Sequence, residues 1–318
     1  MVYLFMFHLT SGIFGNAEFA ASLAKKIAKP GTINDIAIYN HGSSEGVFTY
    51  VAVNSDKIQS LLQAINMIDV PIIAINELNA AVGEQIIAIS EFGFDRGFVM
   101  LENISEEQIK PLIKGTCIEK FVVVKDSNEL IESLKKLKVE RPVSDMVVPI
   151  DNYFDVKSVG TVILGIIKSG SVKKYDKVIV EPLGKEVSIK GIQSQDRDIE
   201  TADAGMRVGL NLKGIEADEL KRGYVIGEPK DAKRQSLIEK SKTFSLNFTK
   251  SKYSKEQLKE NDQIFICSGL QVVAARVKSI SPLEVETENP IAYGRDTKFL
   301  IASTKQSIPR IIGHAILG

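Results

Sequence analysis

The sequence predicts a multi-domain chain, one three-layer α/β domain followed by two all-β barrels, and three observations carry that prediction. In the first 140 residues, short and nearly continuous apolar runs alternate with helical patterns. That is the signature of a largely parallel sheet covered on both faces. From Val147 onward the pattern switches to period two, with turn residues at short intervals. Between the regimes lies a proline-bearing bridge, residues 138–149, KVERPVSDMVVP. A length of 318 residues suffices for two or three cores, and the divisions fall at 1–140, 147–229 and 238–318.

In the first domain VYLFMF is the opening strand. Residues 18–29 form a helix with Phe19, Leu23 and Ile27 recurring four apart, stopped by Pro30 and Gly31. DIAIY and GVFTYVAV are two strands joined by the polar turn NHGSSEG, a hairpin. Residues 56–68 form the next helix, whose acidic first residue suits the positive end of the helix dipole. The strand VPIIAI, helix AAVGEQIIAISEF, strand RGFVML, helix SEEQIKPLIK, strand EKFVVV and helix SNELIESLKKL complete the domain. Ser105 and Ser127 stand as cap-type residues ahead of acidic ones.

The middle unit reads as MVVPIDNYFDV, GTVILGIIKSGSV, DKVIVEPLG, EVSIKGIQ, RVGLNL and GYVIG, a closed barrel of about 80 residues. Hairpin turns are expected at Ser169 and Gly170 and at Leu183 and Gly184, and IEADELKRG is expected to form a single helical turn. The last unit offers TFSLNF, QIFICSG, QVVAARVKSI, EVETENPI, DTKFLIAST and RIIGHAIL as strands, with SKYSKEQLKEND as an excursion.

Composition is that of an ordinary globular protein, 44% hydrophobic and 25% charged, with a formal net charge of zero. The neutral total hides two halves. Residues 1–100 hold 5 Lys/Arg against 9 Asp/Glu, and residues 230–318 hold 15 against 9. A basic run over residues 233–259 includes Lys233, Arg234, Lys240, Lys242, Lys250 and Lys252. It is either a solvated face or a set of RNA-backbone contacts. Cys117 and Cys267 have no Cys or His at ligand spacing, so no metal site is expected and both are read as reduced. The apolar opening lacks a basic n-region, and no uninterrupted apolar run reaches membrane-spanning length. A cytoplasmic protein with no membrane partner is the expectation. His8, His41 and His314 are scattered, and His8 is read as core; no arrangement of nucleophile, base and acid emerges, so no catalytic residue is assigned.

Strand, helix, two-stranded hairpin and then repeated helix–strand is the order of a small GTPase domain, and residues 10–18 stand where its phosphate loop belongs. That loop needs G-x-x-x-x-G-K-[ST]: glycines to wrap backbone N–H groups round the phosphates, Lys for the β/γ charge, and a hydroxyl for Mg²⁺. On this frame Thr10 stands for the first Gly and Gly15 for the second; Asn16 replaces the Lys, Ala17 the Ser/Thr, and Glu18 adds a carboxylate. After the third strand VNSD offers no D-x-x-G, and after GFVML the chain reads ENIS where N-K-x-D is required. GTP hydrolysis is therefore not expected. No cofactor is assigned, with GTP and Mg²⁺, or weak anion binding at the degenerate loop, kept as alternatives.

The middle barrel resembles the second domain of translational GTPases, above all the EF-Tu/SelB branch and its archaeal-type selenocysteine-specific elongation factor. The likeness rests on D-x-x-F at residues 151–154, V-G-T-V from Val159, G-x-V-K-x-x-D from Gly170, A-G-x-R-V-G-L-x-L from Ala204, and Arg222 with Gly223. It implies a degenerate G domain before the barrel and an EF-Tu-like third domain after it. It also implies a surface that binds the acceptor end of aminoacyl-tRNA or docks on the ribosome. In selenocysteine-specific factors the resemblance places the aminoacyl pocket on an Asp-Arg pair and a later Arg. Asp151 and Arg207 match; Asn152 stands where the first Arg would be, and the extended fourth region of those factors has no counterpart. Without the family, Asp151 reads as a turn residue, Arg207 as a paired or solvent-facing one, and Arg222 as the brace of a tight turn. The implied function is an elongation-factor paralogue without GTP hydrolysis, binding aminoacyl-tRNA, the ribosome or another translation component. The alternatives are a regulatory module acting on a genuine translation GTPase, and a GTP-binding factor with unorthodox motifs.

Overall fold

The computed structural model describes residues 7–141, 144–229, 237–305 and 307–318. Domain one contains strands β1 (Phe7–Gly15), β2 (Lys29–Ile33), β3 (Ile36–Gly42), β4 (Gly46–Val53), β5 (Val70–Ile75), β6 (Phe98–Leu101) and β7 (Val122–Val124). They form one sheet in the order β2-β3-β4-β1-β5-β6-β7, antiparallel across β2, β3 and β4 and parallel from β4 to β7. Helices α1 (Ala17–Ile27) and α5 (Ser127–Lys135) pack on one face. Helices α2 (Ile58–Met67), α3 (Ala80–Phe92) and α4 (Glu106–Ile113) cover the other. Burial on both faces explains why β5 reads VPIIAI, all six residues buried, with no alternation.

Most expected elements are present, with instructive differences. VYLFMF falls almost wholly outside the described residues, and β1 continues to Gly15. β2, the sequence KPGTI, is an added edge strand that its Pro and Gly disguise. The last helix is capped by Asp126, one residue before Ser127; its carboxylate accepts from the Asn128 and Glu129 N–H groups at 2.8 and 3.0 Å.

Barrel two comprises β8 (Val147–Val156), β9 (Gly160–Ile166), β10 (Ser171–Lys173), β11 (Lys177–Glu181), β12 (Lys185–Ser194), β13 (Arg197–Ile199), β14 (Thr201–Asp203), β15 (Arg207–Lys213) and β16 (Val225–Gly227). The ring β11-β16-β8-β9-β15-β12 closes through β11–β12. Leu183 and Gly184 make the expected hairpin between β11 and β12. Ser169 and Gly170 do not: β10 leaves β9 and pairs with β14. Barrel three, β17 (Ile238–Lys250), β18 (Gln263–Ser268), β19 (Gln271–Ile280), β20 (Leu283–Gly294), β21 (Phe299–Ser303) and β22 (Ile311–Leu317), is closed in the order β17-β20-β19-β18-β21-β22.

The domains are packed, not strung. One apolar cluster runs from Ile86 and Ile89 of α3 into Cys267, Leu300 and Ile311 of barrel three. Among the described residues no helix is long and apolar enough to cross a membrane.

Candidate functional site

Two places bear on function, the edge of the domain-one sheet where β1 meets α1 and the seam between domain one and barrel two. At the first, the residues laid on the phosphate-loop frame do not form a loop. Thr10 to Gly15 belong to β1, with Thr10 buried opposite Thr49 in the ladder with β4. At strand rise, Thr10 lies about 16 Å from Gly15, toward the opposite edge of the sheet, where its N–H donates to Asp69 Oδ2 at 2.9 Å. Asn16 alone separates strand from helix.

That one-residue turn is filled from within. Gly15 has φ +111°, and a Cβ there would overlap the Ala74 carbonyl oxygen. Its N–H and C=O are held by the Gln85 side-chain amide at 2.8 and 3.0 Å. Asn16, in the place of the phosphate-binding Lys, accepts from the Asn76 and Glu77 N–H groups through Oδ1 (2.9 and 3.2 Å). It donates to the Glu77 carbonyl through Nδ2 (3.1 Å). Ala17 opens α1 and Glu18 is exposed in its first turn. On the same edge Asn54 donates to the Asn34 carbonyl. Among the described residues no group of three or more His, Cys, Asp or Glu could hold a metal.

The seam is built differently. Arg222, just before β16, reaches across to Asp35, the residue ahead of β3, with Nη1–Oδ2 at 2.8 Å and Nη2–Oδ1 at 2.9 Å. Nη1 also meets Gln63 of α2 at 3.2 Å, and Nε donates to the Asp151 carbonyl at 2.9 Å. The Gln63 amide in turn donates to the Leu270 carbonyl of barrel three at 2.9 Å, so three domains meet at one guanidinium. Arg222 and Ser60 hold the Asp35 carboxyl well below its ordinary range, at about 2. The adjacent Gly223 is required by close approach, since a Cβ there would meet the Gln271 and Leu270 backbone.

A second tie lies at the other edge. Arg141 of the bridge pairs with Asp69 at 2.8 Å and donates to the His8 carbonyl at 3.1 Å. Lys168 of barrel two donates to the Met67 carbonyl at 2.8 Å, and burial there lowers its pKa to about 8. His8 is half-buried, with a pKa lowered to about 4 by burial and by Arg141. Barrel three is pinned by Arg310, which grips the Glu84 carboxylate of α3 through Nε and Nη2, and by His314 against Glu91 at 2.7 Å.

Asp151 and Arg207 come together, Nη2 to Oδ1 at 3.1 Å. Asp151 is buried, which pushes its carboxyl pKa up against the pull of Arg207; its Oδ2 and the Arg207 Nε carry no hydrogen bond among the described residues. Arg207 lines a cleft of about 660 Å³ between domain one and barrel two, facing Lys29 and His41 of domain one and flanked by Gln193, Ser194 and Asp196. Asn152 does not join it; it lines a narrow crevice with Asp151 and Arg222. The basic run is dispersed. Lys233 and Arg234 lie outside the described residues. Lys240 bonds Glu181 and the Pro182 carbonyl of barrel two (2.9 and 3.0 Å), and Lys252 donates to the Gly115 carbonyl of domain one (3.0 Å). Lys242 and Lys250 are exposed toward opposite ends of β17.

An α/β domain with the strand order of a GTPase, followed by two closed barrels docked against it, defines the class: proteins on the plan of a translation elongation factor. The sequence profile of Elongation factor Tu domain 2 matches residues 160–227. An uncharacterized protein of Methanocaldococcus jannaschii is 34% identical over 314 residues, covering 96% of this chain and 98% of its own. Elongation factor 1-alpha of Cenarchaeum symbiosum is 39% identical over 102 residues, which span 31% of this chain and 23% of that factor. The structure of translation elongation factor SelB from Methanococcus maripaludis with the GTP analogue GppNHp superposes with a TM-score of 0.80 at 20% identity. It covers 98% of this chain and 79% of that one. Over its whole length the chain belongs with the Methanocaldococcus protein, its middle barrel matches Elongation factor Tu domain 2, and its three-domain fold is that of the EF-Tu/SelB elongation factors.

Proposed function

We propose that this protein is a cytoplasmic elongation-factor paralogue that acts without binding or hydrolysing GTP. It engages the acceptor end of an aminoacylated tRNA, or a ribosomal RNA end of like chemistry, in the cleft beside Arg207. One juxtaposition carries the reading: the strand-to-helix turn that would hold a phosphate is consumed by Gln85, Asn76 and Glu77, while the cleft beside Arg207 is open. A phosphate loop works by presenting several free N–H groups to an anion. Here the Gly15 and Asn16 N–H groups are already bonded, to Gln85 and to the Ala74 carbonyl.

The cleft has the opposite character. Its cationic groups, Lys29 and Arg207, come from facing walls, and Gln193 and Ser194 add polar contacts, a lining suited to a terminal ribose and its phosphate. Because Arg207 is anchored by Asp151, it is positioned before any ligand arrives.

Calorimetry and filter binding test this together. Millimolar GTP or GDP with Mg²⁺ should give no binding heat. Charged tRNA should bind at about 50 mM salt and weaken as salt rises, and Arg207→Ala should cost about tenfold in affinity. Micromolar GTP affinity, or a charged tRNA that ignores Arg207→Ala, would overturn the reading.

A further inference from the structure

Away from the cleft, one side chain sits in a strained position with no internal packing to offset it. Tyr175 lies in the turn joining β10 to β11 with φ +74°, a conformation usually given to Gly or Asn and unfavourable for an aromatic residue. The turn is firmly made. Asp176 N–H donates to the Lys173 carbonyl at 3.1 Å, Lys173 N–H to Asp176 Oδ2 at 2.8 Å, and Tyr175 N–H to the Ile189 carbonyl of β12 at 2.8 Å. Yet the Tyr175 side chain is left in solvent, 72% exposed, with the Lys174 ammonium 5.2 Å from the ring centroid.

The surroundings are basic. Lys177 of β11 and Lys213 of β15 flank Ser188 of β12 in register, and Lys190 follows Ile189 on the bulged stretch of β12. With Lys173 these four lysines are exposed. Of the acids near them, Asp176 accepts from the Lys173 N–H within the turn, Glu200 is paired with Lys174 at 3.1 Å, and Glu186 is exposed on β12. A protein-docking tyrosine sits among apolar neighbours at the centre of an interface. A ring among lysines is instead the arrangement that stacks a base while ammonium groups meet the flanking phosphates.

We propose that this face of barrel two binds RNA, with an unpaired base stacked on Tyr175 and lysines 173, 177, 190 and 213 serving the phosphates. It is separate from the Arg207 cleft and does not depend on that site's occupant. The test is a fluorescence-anisotropy titration of a labelled single-stranded RNA of mixed sequence at about 50 mM salt, with melting temperatures measured in parallel. Tyr175→Phe should bind as the parent does. Tyr175→Gly should bind about tenfold more weakly while melting at the same or a higher temperature, because glycine is at home at positive φ. Three results would overturn the proposal: undiminished binding by Tyr175→Gly; a lowered melting temperature, which would make the ring a structural prop; or loss of a protein from nuclease-treated pull-downs with RNA affinity intact. Arg207→Ala, titrated with the same RNA, reports on the cleft. A loss there without a loss in Tyr175→Gly would sink this surface and leave the cleft standing.

Discussion

The turn at Asn16 and the seam at Arg222 use similar polar chemistry to opposite ends. At Asn16 a primary amide bonds backbone groups of its own domain, and the result is closure of one edge. At Arg222 a guanidinium bonds a carboxylate, an amide and a carbonyl belonging to two domains, with a third joined through Gln63. In GTPases the γ-phosphate and its Mg²⁺ order the switch segments. Here Asp35, between α1 and β3, is ordered by Arg222 and Ser60, both permanent parts of the chain. A domain arrangement can thus be fixed by the protein's own guanidinium groups.

The hardest way to break that arrangement is at Glu84. Its carboxylate is buried and both oxygens are taken by Arg310. Arg310→Met should cost about 3 kcal/mol in urea unfolding, since removing one partner strands a buried charge. The Glu84→Gln, Arg310→Met double variant should recover part of that loss. Next comes the seam itself. Arg222→Ala should destabilise by about 2 kcal/mol, and small-angle scattering should report a larger radius of gyration, a change that GTP does not reverse. Asp35 is one-third exposed, so Asp35→Asn should do less.

A reconstruction sharpens the other half. Asn16→Lys with Ala17→Ser restores two phosphate-loop residues, yet calorimetry should still show no GTP binding. Stability should fall by about 1 kcal/mol as the Asn76 and Glu77 N–H groups lose their acceptor. A smaller, pH-dependent effect belongs to Lys168. With its pKa lowered to about 8 in the folded protein against 10.5 ordinarily, the unfolded chain binds the extra proton between those values. Stability therefore rises with pH across that window, and Lys168→Met should flatten the rise. The smallest effects should come from Lys242→Ala and Lys250→Ala, invisible in stability and, if these exposed lysines touch phosphate, each lowering the salt slope of RNA binding by about one.

What the sequence made legible was whatever is local. β5 and α3 match VPIIAI and AAVGEQIIAISEF residue for residue, because apolar runs and Gly93, with φ +86° beyond α3, announce themselves within one segment. KPGTI concealed a strand because an edge strand tolerates Pro and needs no apolar face. Ser169 and Gly170 look like a hairpin turn, but only the barrel decides that β10 goes to β14. The Asp151–Arg207 pair was visible through resemblance. Arg222, Asp35, Gln63 and Arg141 were not visible as interdomain ties, since their partners lie 72 to 207 residues away and leave no spacing to read. One signal was present: Glu84 lies among Val82, Ile86, Ala88 and Ile89, a charge on the buried side of an apolar helix, and such a charge demands a partner.

The connection between β1 and α1 is a single residue long. Its glycine is wedged against a neighbouring strand and its single asparagine is knotted to the next loop, so substitutions cannot recreate a wrapped loop; only inserted residues would lengthen it. Regaining a phosphate loop at this point would therefore take an insertion, because no exchange of side chains at Gly15, Asn16 or Ala17 supplies the missing length.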